Sequence, residues 1–258
     1  MSKRPLVVGN WKMYVEMPQE AKKLASALRR KARTFSGVEV VLAPAFPLVP
    51  IVAAALKGSS IKIGAQTLSA YADGQHTGEI SAAMLKAVGA SFVIVGHSER
   101  RSSPAHLGES DASVRAQLVN AHAAGLTAVL CVGEQERDSA NGTHFTLVAA
   151  QLTSALQTVA PKAAAKLVVA YEPVWAIGKS ANEAMRPADL REMVIFIRKT
   201  LADILGRTAG VRVPILYGGS VEGENASQLL HEGGVSGFLV GRASANADSF
   251  LEILKVLR

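Results

Sequence analysis

The residues able to do chemistry sit where apolar runs end. Val169-Ala-Tyr-Glu-Pro-Val-Trp-Ala-Ile-Gly178 carries a hydrophobic run directly into Glu172. Pro173 then withholds one backbone donor and restricts the residue before it. A carboxylate at the mouth of a buried strand, beside an apolar loop, has the setting of a general base beneath a closing lid. Taken alone, an acid that merely caps a strand end would look the same, so the rest of the chain has to decide.

Other polar groups recur at equivalent places. Asn10 and Lys12 follow the first apolar run, and His97, Ser98 and Glu99 follow the fourth. Lys12 would neutralise a bound anion and the charge that develops on a reacting oxygen. Asn10 would donate its amide hydrogen to the same oxygen or cap a loop. At the start of a short helix, His97 is disfavoured as a cation by the helix dipole. A neutral imidazole there would donate to a carbonyl and shuttle a proton between neighbouring oxygens; a structural histidine is the plain alternative. Glu99 reads either as a second acid or as a buried partner for Lys12, and Arg100 and Arg101 as ion-pairing loop holders.

Gly218-Gly219-Ser220 and the turn around Gly241 and Arg242 place small residues after the last two runs. Such turns expose backbone amides, and a following helix turns its amino terminus toward an anion. Paired turns after strands seven and eight form a recurrent phosphate site in barrels. A carboxylate base, a neutral electrophile and a cation together suit proton abstraction beside a carbonyl, with an enediolate intermediate. That chemistry calls for no metal and no cofactor, and Ile177 and Gly178 would belong to the lid that excludes water.

These groups need a scaffold that brings distant segments to one mouth. Apolar strand-like runs fall near 5–10, 38–43, 60–65, 90–96, 126–132, 166–171, 211–217 and 235–240. Amphipathic or alanine-rich segments lie between them, near 18–35, 47–57, 79–88, 111–124, 145–160, 187–205, 223–232 and 244–257. Most runs are rich in Val, Ile and Leu without polar alternation, as expected of strands covered on both faces. Eight strand-plus-helix units predict a single (βα)8 barrel over 1–258, with the polar residues converging at the carboxyl ends of the strands. A doubly wound open sheet is disfavoured because Gly9 leads into Asn-Trp-Lys and no glycine-rich dinucleotide turn follows the first strand. Pro18, Pro47 and Pro187 mark helix starts, and Gly89, Gly125 and Gly206 mark helix ends.

Composition narrows the function. Of the 258 residues 49% are hydrophobic, enough to fill a large core. No apolar run reaches membrane-spanning length and no secretory leader opens the chain, which predicts a soluble, cytoplasmic protein. One cysteine, Cys131, excludes an internal disulfide. The net charge of +7 is spread over helical segments without a zinc-finger or aromatic reading surface, so no nucleic-acid partner is expected. The positive field would instead concentrate a small anion.

With these residues in place, the chain closely resembles the triosephosphate isomerase family. The matching motifs are Gly9-Asn-Trp-Lys-Met13, Gly64-Ala-Gln66, Thr77-Gly-Glu-Ile-Ser81, Gly96-His-Ser-Glu-Arg-Arg101, Cys131-Val-Gly-Glu134, Tyr171-Glu-Pro-Val-Trp-Ala-Ile-Gly178, Tyr217-Gly-Gly-Ser-Val221 and Leu239-Val-Gly-Arg-Ala-Ser244. They come in family order and span nearly the whole chain. The resemblance implies interconversion of dihydroxyacetone phosphate and glyceraldehyde 3-phosphate in glycolysis and gluconeogenesis. It implies Glu172 as base, His97 as electrophile, and Asn10 and Lys12 as stabilisers of substrate and intermediate, with Ser98 and Glu99 in support. Gly178, Ser220, Gly241 and Arg242 would hold the phosphate, chiefly through backbone amides. It also implies a homodimer in which the loop carrying Thr77 inserts beside the partner's catalytic residues, so that a separated monomer loses most activity.

The chain departs from the family pattern at several places. Tyr14 replaces a common asparagine, Gln75-His76 replaces Ala-Phe, and Ser103-Pro-Ala-His-Leu107 adds bulk after His97. Arg242 stands where a second glycine is usual; if it contributes only its amide, phosphate binding survives and its side chain points away. The largest departure is the lid, where residues 179–186 replace the usual tip and second hinge. Ordinary chemistry with altered closure kinetics or substrate preference is the resulting expectation. Two rivals remain: an isomerase of a larger phosphorylated ketose, and a silent barrel that binds phosphate or protein without turnover.

Overall fold

A computed structural model describes residues 4–102, 108–179 and 185–257. Eight parallel strands close into a barrel in sequence order, with β1 pairing both β2 and β8. They are β1 (Leu6–Asn10), β2 (Glu39–Ala43), β3 (Lys62–Ala65), β4 (Phe92–Val95), β5 (Thr127–Val132), β6 (Leu167–Tyr171), β7 (Ile215–Tyr217) and β8 (Gly237–Val240). Each falls inside the run that predicted it. β7 is the most shortened, because Pro214 brings no amide donor to the ladder and 211–213 complete the turn of the short helix Arg207–Gly210.

The principal helices are α1 (Pro18–Lys31), α2 (Val49–Leu56), α3 (Ala82–Ala87), α4 (Asp111–Ala123), α5 (Thr143–Leu156), α6 (Pro187–Leu205), α7 (Gly223–His231) and α8 (Ala247–Val256). Pro18 and Pro187 begin α1 and α6, where their missing N–H costs nothing. Pro47 lies instead in the 3₁₀ turn Phe46–Leu48 that precedes α2. α3 starts later than its apolar pattern suggests, because the Ser81 hydroxyl caps it by accepting from the Met84 amide. α8 also starts late: Arg242–Ala245 forms a 3₁₀ turn, and Asn246 caps the helix proper by accepting from the amides of Asp248 and Ser249.

Strand alternation divides the core in two. Leu6 and Val8, Val41 and Ala43, Phe92 and Ile94, Val129 and Cys131, and Val168 and Ala170 form one buried cluster with Leu216 and Leu239. The intervening residues, such as Val7, Leu42, Val93, Leu130, Val169 and Tyr171, pack with the helices in the other. The first set therefore fills the barrel and the second faces the helical ring. This parity decides where the site lies. Asn10 continues the inward series Leu6, Val8, and Glu172 continues Val168, Ala170, so both side chains arrive at the upper mouth of the barrel.

Candidate active site

The polar ends of β1, β4, β6, β7 and β8 meet in one cleft, lined among others by Asn10, Lys12, His97, Glu172, Ser220 and Gly241. Glu172 is only 2% exposed despite its charge. Its Oε2 accepts from the Ser98 amide at 2.9 Å, and its Oε1 lies 3.2 Å from His97 Nε2. A buried carboxylate needs such donors to offset its lost hydration. Gly218 keeps the space free, since a Cβ there would stand 2.8 Å from Glu172 Cγ.

His97 caps the short helix Ser98–Arg101 through its own ring, Nδ1 accepting from the Glu99 amide at 3.2 Å. An accepting Nδ1 carries no proton, which leaves the ring proton on Nε2, the nitrogen that faces Glu172 and the cleft. The ring expected as electrophile therefore presents a donor to the cleft. Ser98 contacts the site through its backbone amide rather than its hydroxyl.

Lys12 is the only non-glycine residue with positive φ among those described, at 46°. Such a conformation costs about 1–3 kcal/mol and persists where the surroundings over-determine it. Here the Lys12 amide donates to Asn10 Oδ1 at 3.0 Å, and Gln66 Nε2 donates to the Lys12 carbonyl at 2.9 Å and to that of Ala43 at 3.1 Å. Trp11, fully buried, anchors the same turn. Lys12 Nζ pairs with Glu99 Oε1, which decides between the two readings of that acid: it is the lysine's partner. The pair is not buried as expected, because the Glu99 side chain is 59% exposed and the Lys12 side chain 20%. Asn10 Oδ1 is taken by Lys12, so its amide hydrogens have no acceptor among the described residues and are available to a ligand.

Gly178, Ser220, Gly241 and Arg242 all line the same cleft. Gly178 has φ of +75°, the left-handed turn that a glycine takes without strain, in the segment that follows β6. Ser220 Oγ donates to the Ala176 carbonyl at 3.1 Å, tying that segment to the loop after β7. Lys12 reaches the loop after β8, because a Cβ on Gly241 would lie 3.8 Å from Lys12 Nζ. Thr77, by contrast, lies in the exposed loop 71–79 away from this cleft. In that loop the rings of Tyr71 and His76 stack with centroids 3.6 Å apart.

Two contributors had no role assigned from sequence. Gln66 stands at the end of β3 and is visible there only as a motif residue; its work is to hold the Lys12 turn. Glu134, 1% exposed after β5, accepts at Oε1 from Tyr171 Oη at 2.8 Å and from Trp175 Nε1 at 2.9 Å. It thus fastens the loop after β6 to the strand that ends just before Glu172. Burial, joined by the Glu134 charge, pushes the Tyr171 hydroxyl far up, and burial pushes Tyr217 up to about 12. Burial first, then the Glu172 charge, likewise raises the Cys131 thiol inside the barrel.

Comparison with known proteins decides the family. The family model described as Triosephosphate isomerase matches residues 5–257. The chain belongs to the triosephosphate isomerase family. Enzymes of that name from Carboxydothermus hydrogenoformans and Thermus thermophilus are 40% and 41% identical to it, each over 98% of this chain and 98% and 99% of their own. The enzyme from Chloroflexus aurantiacus is 42% identical over 97% of this chain and 98% of its own. The crystal structure of triosephosphate isomerase from Bartonella henselae superposes with a TM-score of 0.85 at 36% identity, covering 98% of both chains. The two departures from the family pattern at 103–107 and 180–184 lie outside the described residues; Lys179, Met185 and Arg186 are the parts of the altered lid that lie within them.

Proposed function

We propose that this chain isomerises dihydroxyacetone phosphate and D-glyceraldehyde 3-phosphate through an enediolate, as one barrel domain, with Glu172, His97, Lys12 and Asn10 as its catalytic residues. The observation that carries the reading is the His97–Glu172 arrangement: a buried carboxylate beside a ring nitrogen that holds its proton toward the same cleft. A substrate carbonyl that takes the Nε2 hydrogen replaces Glu172 Oε1 at that donor and frees the carboxylate. Glu172 then removes a proton from the carbon next to the carbonyl, and the electron pair of that C–H bond becomes the enediolate C=C. The carbonyl oxygen gains the negative charge, opposed by Lys12, Asn10 and His97. His97 moves the hydroxyl proton between the two oxygens, and Glu172 returns its proton to the other carbon.

Gly178, Ser220, Gly241 and Arg242 hold the phosphate, with Ser98 and Glu99 positioning Glu172 and Lys12. Support for this set is their common place in the cleft beside the lysine ammonium. The isomerisation uses no cofactor. Self-association is part of the reading, as the family resemblance implies, and Met13, Tyr14, Met17, Tyr71 and Met84, all more than half exposed, are large apolar side chains that a second copy would cover. The loop bearing Thr77 would seat against a second copy beside these residues. Cytoplasmic action fits a glycolytic role, and no helix among the described residues is long and apolar enough to cross a membrane.

The test is turnover of dihydroxyacetone phosphate by the wild type and by Glu172→Gln. The wild type is expected to turn over, and the variant to lose about 10³-fold in kcat. Full activity in the variant, or turnover only of a larger sugar phosphate by the wild type, sinks the reading. Sedimentation under assay conditions checks the dimer.

A further inference from the structure

Sequence alone reads the net charge of +7 as spread over helical segments, but its distribution is uneven. Residues 21–72 hold eight lysines and arginines against one acid, Glu39, while the rest of the chain holds twenty residues of each sign. That one stretch carries the whole net charge, and folding concentrates it further. Arg4 precedes β1; Arg29, Arg30, Lys31 and Arg33 close α1 and its 3₁₀ extension Ala32–Phe35 ahead of β2; Lys57 lies between α2 and β3. All of these positions are at the amino-terminal end of the barrel, opposite the cleft. Two contacts draw them together: Arg4 Nη1 donates to the Ser36 carbonyl at 3.4 Å, and Arg29 Nη1 to that of Ala55 at 3.2 Å. Lys22 and Lys23 continue the charge along the outer face of α1, whose buried side is Ala21, Leu24, Ala25 and Leu28.

These cations are exposed, and no acid answers them. Glu39 is taken by Lys62, and the carbonyl contacts leave the charges of Arg4 and Arg29 in place. Lys22, Lys23, Arg30, Lys31, Arg33 and Lys57 have no side-chain ion pair or hydrogen bond among the described residues. The helix dipole accounts for cations in the last turn of α1. It does not account for Arg4, Arg33 and Lys57, which lie outside that helix, and it gains nothing from Lys22 and Lys23 in its first half. Like charges four residues apart, as at Arg29 and Arg33, repel instead.

We propose that this end of the barrel is a docking surface for a membrane of anionic phospholipids. None of the exposed large apolar residues belongs to α1, to 32–35 or to α2. The face therefore lacks the aromatic groups on which a nucleic-acid strand stacks, and α1 lies along the barrel wall instead of projecting into a duplex groove. A layer of anionic headgroups needs only several cations presented together. Docking by charge alone is reversible and screened by salt. It leaves the cleft, at the opposite end, turned toward solvent, and it stands whether or not the barrel is an isomerase.

The experiment compares Arg30→Gln/Arg33→Gln with wild type and with Arg191→Gln/Lys199→Gln, an equal charge change on α6. Co-sedimentation measures binding of the whole chain to vesicles of phosphatidylglycerol and phosphatidylcholine in equal parts, and to vesicles of phosphatidylcholine alone. Wild type is expected to bind only the anionic vesicles and to be released as salt rises from about 0.1 M to about 0.5 M. Arg30→Gln/Arg33→Gln should bind them about 10- to 30-fold more weakly with its circular dichroism unchanged, and the α6 variant should follow wild type. Lysine acetylation on the vesicles should spare Lys22, Lys31 and Lys57 and still reach Lys179. Equal binding to both kinds of vesicle overturns the proposal. So does an equal loss in the two variants, which would make net charge and not its place the cause. Release from the vesicles by a duplex oligonucleotide at matched phosphate concentration also overturns it, in favour of nucleic acid.

Discussion

The two halves of the cleft are built differently. On the side of β1, β3, β4 and β6, every group proposed to react is pinned: Asn10 to the Lys12 amide, Lys12 to Glu99 and Gln66, His97 to the Glu99 amide, and Glu172 to the Ser98 amide. On the side of the lid and β8, Gly178 is exposed and a Cβ there would touch nothing, while Lys179 and Arg242 are exposed and unengaged among the described residues. The difference follows the work proposed for each side. Proton transfer demands reacting atoms placed within a few tenths of an ångström, so those side chains are immobilised in advance. Capture of an anion tolerates movement, and a lid that must open cannot be fully bonded.

The contrast is broken most directly on the pinned side. Lys12→Met removes the charge opposite the developing oxyanion and leaves Glu99 unpaired in the open; kcat/KM should fall by roughly 10²- to 10³-fold in the isomerase assay. Gly218→Ala tests whether the base tolerates displacement. Its new methyl would crowd Glu172 Cγ, and kcat should fall about 10²-fold, with the fold retained by circular dichroism. A Gly218→Ala enzyme of wild-type rate would show that the pinned half has more slack than its contacts imply.

The junction between the halves predicts smaller effects. Trp175→Phe loses the bond from the loop after β6 to the Glu134 carboxylate, worth about 1.5 kcal/mol, and should change kcat/KM about tenfold. Stopped-flow measurement of product release should then show faster lid opening. The smallest effect concerns Tyr217, whose raised pKa of about 12 lies under the Gly219 turn. For this acid the folded pKa exceeds the unfolded value of 10.0, so its contribution is complete below pH 10 and is lost as pH rises toward 12. Urea titrations should show stability falling over that window, and Tyr217→Phe should remove part of the slope without altering activity near neutral pH by more than about twofold.

Much of this architecture is legible in the order of residues alone. Each strand lies within its apolar run, because strands covered on both faces need uninterrupted Val, Ile and Leu, which leaves a clear trace. Glu172, His97, Lys12 and Asn10 stand out because polar groups interrupt those traces at corresponding ends. The helix starts are less legible. α3 and α8 begin after their apolar patterns do, where Ser81 and Asn246 supply the caps, and a pattern of apolar residues carries no record of a side chain turned back on the backbone.

The sequence by itself determined the alternating scaffold and the chemical types at its mouth, because burial and chain connectivity act locally and repeat eight times. Only the tertiary structure decided how those types are paired. That Glu99 pairs with Lys12 and does so in the open, that Ser98 acts through its amide, and that Gln66 and Glu134 hold the two halves in place depend on segments tens of residues apart. A hydrogen bond between the ends of two strands is set by barrel closure, and no spacing along the chain encodes it.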